Sequence, residues 1–171
     1  MIQVSISPMN RVSFFIVAIV IAMTAHSVFA DQQTLTDAFA QTATAYANDS
    51  FLLLGMVGDE FVTGALDKSS AAQTVANIQK RIRMIRAKIN LVVASMNLGN
   101  ERKWLKILDS VYTSLDQQAW AMTRYIDDKT PANAKRFDAI RGECLEKIRN
   151  LAKFYASAGA SVELPAPLST R

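Results

Sequence analysis

The stretch from Ser69 to Leu98 carries the most regular apolar repeat in the chain. Val75, Ile78, Ile82, Ile85, Ile89, Val92 and Met96 recur at steps of three and four, with charged residues between them. Apolar side chains at that interval form one stripe of a 3.6-residue helix, and such a stripe must face other helices. Gly99 suits a left-handed stop, and Asn100 can cap a following helix after a turn of one or two residues. A turn that short forces an antiparallel hairpin.

Two further seams follow. Trp104, Leu108, Val111, Leu115, Ala119, Met122 and Ile126 mark one helix; Ala134, Phe137, Ile140, Cys144, Ile148, Leu151 and Tyr155 mark the next. Thr130-Pro131 opens the latter, a capping residue followed by proline at the first helical position, and Gly159 ends it. An earlier helix opens near Thr34 and is expected to run to about Leu66, with Leu35, Phe39, Tyr46, Leu53 and Val57 on its stripe. Asn48-Asp49-Ser50 and the glycines at 55, 58 and 64 leave open whether this one helix is continuous, bent or broken between Asn48 and Gly58. Phe51 to Val57 is apolar all round, which fits either close packing over the glycines or a surface meant for another molecule. Helices of matching length with short connections and no alternating strand pattern predict an all-α chain, an up-down-up-down four-helix bundle.

The first thirty residues are set apart from that fold. Arg11 closes a weakly basic segment, Val12 to Ala25 is an almost unbroken apolar run, and Val28-Phe29-Ala30 presents small residues ahead of Asp31. The run is about 14 residues against the roughly 20 needed to span a bilayer. The expected organisation is therefore a cleavable signal peptide over 1–30, a four-helix bundle over 31–160 and a Pro-containing tail over 161–171. The corresponding location is periplasmic or secreted, with no transmembrane segment after cleavage.

Histidine and cysteine narrow the chemistry. His26 is the only histidine and departs with the signal, which removes imidazole-dependent triads, the commonest zinc sites and the Glu-x-x-His di-iron signature. Cys144 is the only cysteine, so no internal disulfide can form, and its place on a seam makes it a small buried hydrophobe. Asp49, Asp59 and Glu60 are the remaining candidates for carboxylate chemistry, but Asp49 and Glu60 are about 16 Å apart on a straight helix. No cofactor or metal is expected, and the leading expectation is a non-enzymatic protein; a carboxylate-dependent hydrolase is the least favoured reading.

Charge and residual apolar residues point instead to contacts. Residues 31–67 hold six acids and no base, 68–106 hold nine bases and one acid, and 107–171 hold nine bases and eight acids. Acidic and basic helices lying side by side would compensate each other; alternatively the basic face meets an acidic partner or an anionic polymer. On the Ser69–Leu98 helix, Met84, Leu91 and Leu98 recur every seven residues on nearly the opposite side from the seam, about 160° to 200° round from Ile82. With Trp120, which lies about 140° from its own seam, they form the expected partner contact, for a second protein or a homodimer. Lys80, Arg81, Arg83, Lys88, Arg102 and Lys103 form the expected contact for an anionic envelope polymer or lipid headgroups. Nucleic acid is not expected for an exported chain. The protein is thus expected to act through protein contacts, as an inhibitor, immunity-type or chaperone-like binder, with polymer binding as the alternative.

Overall fold

The computed structural model describes residues 32–95 and 101–157. They form four α-helices, α1 Gln32–Thr63, α2 Lys68–Ser95, α3 Glu101–Asp127 and α4 Pro131–Ser157, and no strand occurs among the described residues. The fold is all-α and compatible with a four-helix bundle. The signal peptide, the tail, Met96, Leu98, Gly99, Asn100 and Gly159 lie outside the described residues. The chain divides into two units at Ala38 and Phe39. Of the first, the described residues are the opening turns of α1; the packing below is that of the second.

Local chemistry sets the helix ends. Asp67 caps α2: its Oδ1 accepts the Ser69 and Ser70 amides at 2.9 and 3.0 Å, and its Oδ2 accepts the Ser70 hydroxyl at 2.6 Å. The Ser70 side chain, then its amide, hold the Asp67 carboxyl below its ordinary value. Thr130 Oγ1 accepts the Asn133 amide at 3.4 Å, which realises the expected cap of α4.

α1 answers the open question of its continuity and departs from expectation at its end. It is one helix from Gln32 to Thr63, unbroken through Asn48–Gly58. It also stops before Leu66, because Gly64 adopts φ +78 and turns the chain while the Leu66 amide donates to the Glu60 carbonyl at 3.1 Å. Gly64 is therefore a terminator and not a weak interior position.

Paired contacts fix the helix directions. Gln79 Nε2 donates to Asp116 Oδ1 at 2.8 Å and Arg86 Nε to Asp109 Oδ1 at 2.9 Å, so advance along α2 is retreat along α3. Trp120 meets Arg136 and Ser114 meets Lys147, which makes α3 and α4 antiparallel as well. Tyr112 donates to the Ala43 carbonyl at 2.7 Å and Tyr125 packs edge-on to Phe61, so α1 runs parallel to α3.

The expected seam of α3 is buried in full, and so are Leu105, Tyr112, Gln118, Ala121 and Tyr125. A helix flanked by three neighbours buries more than one stripe. In α2, Val75, Ile78, Ile82 and Ile89 are buried while Ile85 and Val92 are half-buried. In α4, Phe137, Cys144, Ile148 and Leu151 are buried and Ala134 and Ile140 are half-buried. The glycines of α1 admit α4 closely: a Cβ at Gly55 would stand 2.6 Å from Arg141 Nη2, and one at Gly58 would stand 3.2 Å from Phe137 Cε1. Among the described residues no helix is long and apolar enough to cross a membrane.

Candidate functional site

The outer face of α2 is where the sequence places a contact surface. Met84 is 51% exposed and Leu91 is 68% exposed, on the side of the helix opposite fully buried Ile82 and Ile89. Lys80, Arg81 and Lys88 are exposed around them. Arg83 is engaged at its other edge, its Nε donating to Asp116 Oδ1 at 2.8 Å. Leu98, the third member of the repeat, lies outside the described residues.

Trp120 is exposed to 39% but stands apart from this face. The pairing of Lys68 with Asp127, Gln79 with Asp116 and Arg86 with Asp109 sets Trp120 level with about Val75. That is roughly 13 Å along the axis from Met84. Its ring lies between two guanidinium groups, Arg124 at 5.1 Å and Arg136 of α4 at 4.7 Å. The indole therefore leans toward α4, held by cation–π attraction. Met84 and Leu91 form one contact candidate; Trp120 with Arg124 and Arg136 forms another.

The basic residues divide in the same way. Arg102 and Lys103 are exposed at the start of α3. Their helix carries Lys106, which with Ile107, Ser110, Lys147 and Asn150 lines an open groove of about 370 Å³ between α3 and α4. Lys147 Nζ donates to Ser114 Oγ at 2.6 Å, and no carboxylate lines the groove. Lys106 belongs to the basic run visible in the sequence, whereas Lys147 is one of many α4 charges. Only the antiparallel α3–α4 register brings the two together.

Among the described residues, no acid of α1 pairs with a base of α2. Among the described residues the ion pairs are Arg83–Asp116 and Arg86–Asp109, between α2 and α3, and Arg141–Asp59 at 3.8 Å, between α4 and α1. Mutual compensation of the acidic and basic helices by direct pairing is thus not seen among those residues. Asp49 and Glu60 are exposed, and the α3–α4 groove contains neither. No group of His, Cys, Asp or Glu side chains among the described residues could hold a metal ion.

Cys144 is fully buried, and burial pushes its thiol up to about 12, with Lys147 pulling in the opposite direction. An ordinary thiol titrates near 8.5, so the folded chain keeps a proton that the unfolded chain releases. The resulting stability is present below about pH 8.5 and is lost as pH rises toward the folded value, at about 1.4 kcal/mol per pH unit. Tyr112 is raised too, chiefly by burial and then by Tyr46 and Asp49, and adds the same trend above about pH 10. Urea unfolding across alkaline pH should show this decline beginning near pH 8.5. In Cys144→Ala the onset should move to about pH 10, where tyrosine titration begins.

Compared with protein-family models, curated proteins and solved structures, the chain matches none.

Proposed function

We propose that the protein is an exported, non-enzymatic up-down-up-down four-helix bundle, released by cleavage of residues 1–30 into the periplasm or medium, that acts by binding another protein chain through the outer face of α2. The observation that carries this reading is the exposure of Met84 and Leu91, one seven-residue step apart, on a helix whose opposite stripe is closed against the core. Apolar side chains repeated at that interval suit an apposed helix or strand edge, and the exposed Lys80, Arg81 and Lys88 around them favour an acidic partner surface. A bundle of this kind serves as an inhibitor, immunity-type or chaperone-like binder.

The exposed bases also support a second reading, attachment to an anionic envelope polymer or lipid headgroup. One experiment separates the two: capture from envelope extract by the native protein and by Met84→Glu/Leu91→Glu, each at low and high salt. Protein binding through the apolar pair predicts loss of a defined partner in the variant, at unchanged helical circular dichroism, with the native interaction persisting at high salt. Polymer binding predicts capture of the polymer that the two added carboxylates weaken and salt abolishes, with no defined protein partner in the native capture.

A further inference from the structure

We propose that the chain pairs with a second copy of itself, the exposed ridge of α1 on one copy seating against the outer face of α2 on the other. This rests on the reading of the α2 face as a protein contact and names its occupant. Asp49, Leu53, Met56 and Glu60 recur at steps of four, three and four, which places them within about 60° on one side of α1. All four are exposed, with Leu53, expected on the stripe with Val57, at 45% and Met56 at 47%. The opposite side of the same turns is closed, since Phe51, Leu54, Gly58 and Phe61 are buried. The ridge is therefore acidic at both ends and apolar between.

The face on α2 is its complement. Lys80, Met84, Lys88 and Leu91 fall within about 80° on the outer side of that helix, giving bases interleaved with apolar side chains. Asp49, Glu60, Lys80 and Lys88 take part in none of the ion pairs among the described residues. Opposite charges on α1 and α2 that do not pair within one chain can pair between two, and the apolar residues beside them gain burial in the same step.

On α1 the side toward α4 is marked by Gly55 and Arg141, and the ridge lies on the other side. On α2 the side toward α3 is marked by Gln79, Arg83 and Arg86, and Met84 and Leu91 lie beyond it. A copy that offers both an acidic and a basic ridge is self-complementary, as a two-fold pair requires.

Light scattering after size exclusion, with equilibrium sedimentation at rising salt, tests the pairing. The native protein should run at twice the monomer mass, and its dissociation constant should rise several-fold with salt without the dimer being abolished, because the apolar residues of both faces still hold it. Asp49→Lys/Glu60→Lys and, separately, Lys80→Glu/Lys88→Glu should each run as monomers with native circular dichroism. The chain carrying all four changes should dimerise again, because its α1 ridge is then basic and its α2 face acidic; that recovery also shows that the single-helix variants fail by charge and not by misfolding. A native protein that is monomeric throughout overturns the self-pairing, as does a dimer indifferent to both swaps. If in either case Met84→Glu/Leu91→Glu still abolishes capture of a different protein, the α2 contact face stands and only its proposed occupant is wrong.

Discussion

Gln118→Met should raise the free energy of unfolding by about 1–3 kcal/mol, the cost of holding an amide in the core without a protein partner. Gln118 is 0% exposed, and neither its Nε2 nor its Oε1 is hydrogen-bonded by a protein group. It lies one turn before Met122 and two before Tyr125, the residues through which α3 faces Gly58 and Phe61 of α1. The amide is therefore enclosed between two helices whose backbone groups are committed to their own ladders. Methionine matches glutamine in length and helix propensity but carries no amide to desolvate. Chemical denaturation of the two proteins, with an unchanged slope against denaturant, measures the difference. A loss of stability would mean instead that ordered water satisfies the amide.

Gln118 also shows where reading from sequence stops. Seven residues of the α3 seam are recognisable by spacing alone, and all seven are buried. Gln118, seven residues after Val111, stands at the edge of that stripe, where a polar side chain reads as reaching solvent, and the presence of α1 on that side of α3 encloses it. The same reasoning separates the two parts of the expected contact surface. The exposure of Met84 and Leu91 follows from angular position on one helix, which the sequence states directly. The orientation of Trp120 depends on Arg136, a residue of another helix, and its distance from Met84 depends on the α2–α3 register. Similarly, the groove between Lys106 and Lys147 exists only once α3 and α4 are aligned. Helix termini fall between these cases. Thr130-Pro131 is visible as a start, whereas Gly64 resembles the interior glycines 55 and 58 until its positive φ distinguishes it.

Gly58→Leu should lower the free energy of unfolding by about 2–3 kcal/mol, although leucine is the better helix former by roughly 1 kcal/mol. The propensity gain is local and the packing cost is not. A Cβ at this position already stands 3.2 Å from Phe137 Cε1 and 3.6 Å from Met122 Sδ, and both of those side chains are buried. The remaining carbons of leucine can be placed only by moving the Phe137 ring or by separating α1 from α4 and α3. Moving α1 would also strain the Tyr112–Ala43 hydrogen bond and the Phe61–Tyr125 contact, which share its interface with α3. Gly55→Ala provides the internal control. Its new methyl meets only the flexible end of Arg141, at 2.6 Å from Nη2, and that guanidinium can swing toward solvent at the cost of a long contact with Asp59. Gly55→Ala should therefore keep most of the helix-propensity gain and unfold at no lower denaturant concentration than the native protein. If both substitutions were equally harmful, the cause would be a general intolerance of side chains along this side of α1; a loss confined to Gly58→Leu locates the tight contact at the Phe137 ring.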